Sequence, residues 1–304
     1  MAFLRFLETL RTPELSAFFS AVTVLGDETV FMALAITVFW CVSKRQGYYI
    51  FAVGLGGTVL NQWLKLLFRV PRPWVLDPAF TIVERARAGA AGYSFPSGHT
   101  QNVVGTLGCL AASNRSRALR AVCGVCIVLV PFSRMYLGVH TPLDVGVAFV
   151  GAAALVTALH PLFRDEENFR AAVGPALWAL LGAAGAYALW VGRAAFPADT
   201  DAENLLHGMK NGWTLLGCAL GLLAAHWYDD AALHFDVRAP LPGQIAKVAL
   251  GLALLLALRA GLKAALLALF ADALWTNAVR YFLLVVFAGC VWPRTFPRFA
   301  RLGG

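Results

Sequence analysis

The sequence predicts an all-α, polytopic transmembrane helix bundle. Hydrophobic residues make up 59% of the chain and charged residues only 14%, against about a quarter charged in an ordinary soluble domain. Mean hydropathy is strongly positive. Apolar runs close to membrane-spanning length recur from the first third of the chain to its end, broken by short polar stretches. A length of 304 residues is therefore counted in spans, at about 20 residues each.

Residues 1–26 start with an amphipathic stretch, Met1 to Arg11, without a long uncharged run followed by a small-residue cleavage site. That pattern predicts a short interfacial helix, partly re-entrant, rather than a cleavable leader. Apolar runs follow at 28–43, 47–68, 98–113, 118–138 and 141–160. Between the second and third lies a polar loop, 69–97, with Pro71, Pro73, Pro78 and Pro96 and the charges Asp77, Glu84, Arg85 and Arg87. A charged break at Arg164–Arg170 precedes runs at 171–192, 208–227, 244–265 and 278–293. The expectation is about nine spans, five plus four, with a core over 1–163 and additional transmembrane helices over 164–304. Arg259 and Lys263 interrupt the run at 259–277, which predicts a broken or tilted span there. Glycine-rich stretches at Gly182 and Gly217 permit close helix packing, either as scaffold or as a homodimer interface.

The net charge of +8 is carried by basic residues set singly or in short groups at the ends of apolar runs. This suits membrane topology and argues against a nucleic-acid partner. With alternating spans, one face collects Lys44, Arg45, Arg115, Arg117, Arg120, Arg164, Arg170, Arg238, Arg294, Arg298 and Arg301. The positive-inside rule makes that face cytoplasmic. The opposite face receives the 69–97 loop and the acidic stretch 197–204. The six cysteines lie in or beside apolar runs. Cys123 and Cys126 form a CxxC with no second pair to complete a zinc site, so buried free thiols are expected.

Three polar clusters stand out against this background: Lys65 with Arg72-Pro73, then Pro96-Ser97-Gly98-His99, then Ser133-Arg134 with His140 and Asp144. Charge at the centre of a bilayer costs roughly 2.5–3.5 kcal/mol per group on insertion scales, so such groups are expected to converge on one site. Lys65 and Arg72 are seven residues apart, about two helical turns, and point the same way. They read either as snorkelling cations at a span end or as anion ligands. Pro96-Ser97-Gly98-His99 opens a span, where free N–H groups and the positive dipole end suit an anion. Ser97 reads equally as a plain N-cap. His140 and Asp144 are four apart and share a helix face, so the carboxylate can hold one ring nitrogen and leave the other free as a nucleophile. Thr141-Pro142-Leu143-Asp144 also reads as a helix start, with N-cap, first-turn proline and first-turn acid, and the two readings are compatible. Arg134 offers a planar fork for phosphate oxygens. Asp27 and Glu28, at the mouth of the first span, read as a helix cap before an entrance lining.

In this order and spacing the clusters resemble the signature of the type 2 phosphatidic acid phosphatase (PAP2) family: K-x6-RP, PSGH and SR-x5-H-x3-D. Lys65, Arg72, Pro73, Pro96, Ser97, Gly98, His99, Ser133, Arg134, His140 and Asp144 fill every fixed position. The resemblance covers about residues 15–160 and is silent on 165–304. It implies that His140 attacks phosphorus to form a phosphohistidine, that Asp144 orients His140 and that His99 protonates the leaving oxygen. Lys65, Arg72, Ser97, Gly98 and Arg134 would bind the phosphoryl oxygens, with no metal and no cofactor.

The expected function is hydrolysis of a lipid phosphate or diphosphate on the extracytoplasmic face of a bacterial inner membrane. Candidate substrates are undecaprenyl diphosphate, phosphatidic acid, phosphatidylglycerol phosphate and sphingoid phosphates, with membrane lipids as the surrounding partners. Two alternatives carry over. A lipid phosphotransferase would pass the same phosphohistidine to another acceptor, and a transporter or partner-binding membrane protein would keep the first half in a regulatory role.

Overall fold

In a computed structural model that describes residues 1–302, helices carry almost all of the regular structure and no strand forms among the described residues. Two short helices, α1 (Ala2–Thr9) and α2 (Pro13–Thr23), lead through a 3-10 turn at Val24–Gly26 into α3 (Glu28–Cys41). Then follow α4 (Lys44–Phe68), the one-turn α5 (Pro73–Leu76), α6 (Gly98–Ser113), α7 (Arg117–Tyr136) and α8 (Pro142–Leu159). The later part of the chain forms α9 (Glu166–Arg193), α10 (Ala202–Tyr228), α11 (Leu241–Phe270), α12 (Thr276–Val286) and the short α13 (Phe296–Phe299).

Each of the nine expected runs lies on a helix of the described chain. Six helical stretches are long and apolar enough to cross a bilayer, or seven if the bent pair Pro13–Gly26 and Glu28–Cys41, at 48°, is one span. The protein is thus a multi-pass membrane protein. The shortfall from nine has a physical reason. α6 has only 16 residues and carries His99, Gln101 and Asn102, while α10 carries Glu203, His207 and Lys210 in its first turns. α11 runs unbroken through Arg259 and Lys263, and the break within 259–277 comes after them, between Phe270 and Thr276.

The chain divides into two compact units. The first comprises 1–32, 56–161 and 195–208. Its core packs α6 against α7 and α8, and α2 against α7. Val103 and Val104 of α6, Val130 of α7 and Ala152 of α8 are buried together, with Val22 of α2 against them. A second cluster, of Phe19, Ala86, Ala90, Tyr136, Leu137 and Val139, anchors the 69–97 loop. The turn out of α7 needs glycine. Gly138 has φ +83°, and a Cβ there would lie 2.7 Å from the Arg11 guanidinium and 3.0 Å from the Phe80 ring.

The second unit comprises 33–55, 162–194 and 209–304. Trp40 is fully buried and donates to the Ala288 carbonyl at 2.8 Å. Lys247 is fully buried too, and donates to the carbonyls of Trp40 and Val237 at 2.9 Å each. Close packing of α10 and α12 rests on Gly217, where a Cβ would clash with the Ala278 carbonyl oxygen. Gly182, by contrast, has nothing within 4 Å of its Cβ position. Asp229 pairs with Lys44 at 2.6 Å and accepts from the Phe235 N–H. All six cysteines are free thiols.

Candidate active site

The three clusters meet in the first unit. α4 ends at Phe68, and Arg69 turns the chain in a left-handed conformation with φ 48°. Lys65 thereby stays on the last turn of α4 while Arg72 is set just before α5. Ser97 caps α6, its hydroxyl accepting from the Thr100 N–H and, at 3.0 Å, from the Thr100 hydroxyl. The Ser97 N–H donates to the Asp144 carbonyl at 3.0 Å, which ties the start of α6 to the start of α8. At the end of α7 the Arg134 carbonyl accepts from both Val139 N–H (3.1 Å) and His140 N–H (3.3 Å). That pair of bonds explains the spacing of Arg134 and His140: one carbonyl organises the turn that carries the imidazole.

Arg72 Nη1 lies 3.0 Å from His140 Nε2. A guanidinium can only donate, so Nε2 is the accepting nitrogen and the ring proton sits on Nδ1. The lone pair of Nε2 therefore points toward the cationic pocket. His140 is 2% exposed. Burial first, and then the cations Arg72, Arg134 and Lys65, hold its imidazole well below the ordinary value of 6.5, so the ring is neutral at pH 7.

Asp144 sits beside His140 and also accepts hydrogen bonds from other neighbours. Its Oδ2 accepts from the Thr141 N–H at 2.7 Å and from the Ser94 hydroxyl at 2.6 Å. Thr141 returns the bond to the Asp144 N–H, completing a capping box. His140 Nδ1 is 3.5 Å from Oδ2 and makes no hydrogen bond. Asp144 thus holds the start of α8 and Ser94 by hydrogen bonds, and its Oδ2 faces the protonated His140 Nδ1 at 3.5 Å.

The other cations face the polar loop. Lys65 Nζ donates to the Tyr93 carbonyl. Arg72 donates to the carbonyls of Ala91 (2.8 Å), Gly92 (3.0 Å) and Val139 (3.1 Å). Arg134 donates to the Gly89 carbonyl at 3.2 Å and to the Thr23 hydroxyl at 2.8 Å, and its Nε is buried without a hydrogen bond. Residues 89–94 are therefore drawn down over the cations by their own carbonyls. Lys65, Arg72 and Arg134 are 8%, 6% and 1% exposed, so this is a desolvated site in which charge acts strongly. Among the described residues no three His, Cys, Asp or Glu side chains gather where they could hold a cation.

His99, in the first turn of α6, pairs through Nε2 with Asp27 Oδ1 at 2.8 Å. Asp27 is therefore a neighbour of the site rather than only the cap of α3. Gly26 permits this, since a Cβ there would stand 2.9 Å from His99 Cβ. Gly98 has open space at its Cβ position. Ser94 and Thr23 were not legible as site residues, because no spacing links either to a cluster. An apolar groove of about 440 Å³ runs alongside, between α4, α6 and α8, lined by Leu60, Leu64, Pro96, Pro142, Leu143 and Val150 among others. Pro96 and Pro142 are the chain neighbours of Ser97 and Thr141, so the groove reaches the edge of the site.

Two family models match the chain. Residues 45–168 match the PAP2 superfamily. Residues 213–303, on which the cluster resemblance is silent, match the transmembrane extension of PAP2 superfamily phosphatases. Undecaprenyl-diphosphatase BcrC of Bacillus subtilis (strain 168) is 31% identical over 103 residues, 34% of this chain. The chain spans about half, 50%, of the length of that curated relative. The crystal structure of Aquifex aeolicus LpxE aligns with 51% of this chain and 90% of its own, at 27% identity and a TM-score of 0.46.

Proposed function

The chain belongs to the PAP2 superfamily, and from that premise we propose that it is an integral-membrane lipid phosphatase. The reading rests above all on Arg72 donating to His140 Nε2 at 3.0 Å inside a buried cluster of cations. In the proposed reaction, the phosphoryl oxygens take over the Arg72 N–H and free the Nε2 lone pair. Nε2 attacks phosphorus in line, the bond from phosphorus to the leaving oxygen breaks, and His99, in its protonated form, passes its proton to that oxygen. Water then attacks the phosphohistidine, neutral His99 takes the water's proton, and phosphate leaves with His140 restored. Lys65, Arg72, Arg134, Ser97 and the Gly98 N–H at the start of α6 stabilise the charge that builds on the equatorial oxygens.

A lipid substrate is supported by the apolar groove at the edge of the site, which suits a hydrocarbon chain while the phosphate enters the cationic pocket. Similarity to an undecaprenyl-diphosphatase makes a prenyl diphosphate the first substrate to try. The site is assigned to the extracytoplasmic face by the positive-inside rule, which sends the opposite helix ends to the cytoplasm.

Phosphate release by the purified chain, measured against a panel of lipid mono- and diphosphates with and without an added lipid or sugar acceptor, tests this reading. Release from at least one lipid phosphate is expected. His140→Ala should reduce it on the order of 10⁴-fold or more while leaving the detergent-solubilised protein folded. Undiminished release would end the phosphohistidine mechanism, and label passing to an added acceptor instead of water would favour the transferase.

A further inference from the structure

α11 carries Leu256, Arg259, Lys263 and Leu267 along one face, at spacings of three, four and four residues. Only 6% of the apolar window of this helix is buried inside the protein, so α11 faces lipid. Arg259 lies eleven residues before the helix end, about 17 Å along the axis at 1.5 Å per residue. A guanidinium and an ammonium at that depth are costly unless something anionic meets them. Neither makes a hydrogen bond or an ion pair among the described residues.

Both border a cavity of about 440 Å³ whose other polar walls come from Lys210 of α10, Asp272 after α11, and Thr276, Asn277 and Arg280 of α12. Four cations face one carboxylate, and Asp272 is already engaged by Lys210 at 2.9 Å. Arg280 Nη2 donates to Asn277 Oδ1 at 2.9 Å, but its Nε is buried with no hydrogen bond. The cationic groups that face the cavity thus outnumber its one carboxylate, with Leu256 and Leu267 flanking it.

We infer that this cavity, among α10, α11 and α12 in the second unit, binds the phosphate of an anionic membrane lipid, with the leucines of α11 against its acyl chains. Arg259 and Lys263 supply the attraction, and Arg280 supplies the directed N–H. None of these residues belongs to the proposed catalytic pocket, so the inference stands independently of the phosphatase reading.

Native mass spectrometry of the full-length chain in detergent, with phosphatidylglycerol or phosphatidylcholine added, tests it. Wild type should retain phosphatidylglycerol in preference to phosphatidylcholine. Arg259→Gln combined with Lys263→Gln should weaken phosphatidylglycerol retention by roughly tenfold or more and leave phosphatidylcholine retention unchanged. Arg280→Gln should move it in the same direction. Thermal unfolding of the same proteins reads the site separately: phosphatidylglycerol should stabilise wild type and not the double variant. Equal retention and equal stabilisation in the double variant would overturn the site. Displacement of the lipid by inorganic phosphate alone would overturn the lipid assignment in favour of a free-phosphate site.

Discussion

Asp27 Oδ1 stands 2.8 Å from His99 Nε2, joining the residue before α3 to the first turn of α6. The contact gives His99 a carboxylate of its own, independent of Asp144. In the proposed mechanism, Asp27 steadies the proton donor without touching the substrate.

Asp27→Asn should therefore lower kcat by about ten- to a hundredfold, within the range that proton transfer contributes, with KM nearly unchanged. The loss should be large for a lipid phosphate, whose leaving oxygen needs a proton, and small for p-nitrophenyl phosphate, whose leaving group does not. Equal losses on both substrates would assign Asp27 a purely structural role. Asp27→Glu should recover part of the rate.

The neutral state of His140 has a consequence for pH. Its imidazole is held well below 6.5 by burial and by Arg72, Arg134 and Lys65, so it stays unprotonated as pH falls through 6.5. The kcat/KM profile should show no loss near that pH from the nucleophile. In the unfolded chain the ring takes up a proton in the ordinary range, so its contribution to stability is present above 6.5 and is lost as pH falls below. Unfolding of wild type and His140→Gln across this range checks the second point: the wild type should lose more stability on acidification.

Ser94→Ala removes the hydroxyl that donates to Asp144 Oδ2 at 2.6 Å in a fully buried setting. A hydrogen bond to a charged group contributes about 1.5–3 kcal/mol, so the thermal midpoint should fall. Activity should fall with it, because the same carboxylate holds the start of α8 next to His140. A variant with unchanged stability would show that the Thr141 capping box alone suffices.

The groove can be probed by filling it. Gly146 lines it, and nothing lies within 4 Å of its Cβ position. Gly146→Phe should raise KM for a long-chain lipid phosphate by roughly tenfold, equivalent to about 1.4 kcal/mol, and leave hydrolysis of p-nitrophenyl phosphate nearly unchanged. An equal effect on both substrates would move the lipid chain elsewhere.

Much of the helical layout was legible because the bilayer imposes it. A segment surrounded by hydrocarbon must satisfy its backbone internally and present apolar side chains, so composition alone marks α4, α7, α8, α9 and α11. α6 shows the limit of that logic: its polar first turns belong to the site and shorten its apolar stretch. Arg259 and Lys263 show the opposite error. They look like a break in the sequence, yet α11 continues through them, because long cationic side chains can leave a helix face without unwinding it.

The sequence by itself determined the helical class, the three clusters and the helix start at Thr141-Pro142-Leu143-Asp144, since each depends on neighbours within a few residues. Only the tertiary structure decided what Asp144 binds, that Asp27 meets His99, and that the carbonyls of residues 89–93 take the hydrogen bonds of Lys65, Arg72 and Arg134. Those contacts join residues 45 to 72 apart in the chain, except for the Lys65 and Arg72 bonds at 19 to 28. They exist because packing α6 against α7 and α8 leaves buried donors and acceptors with one another as their available partners, a constraint of space that no local spacing encodes.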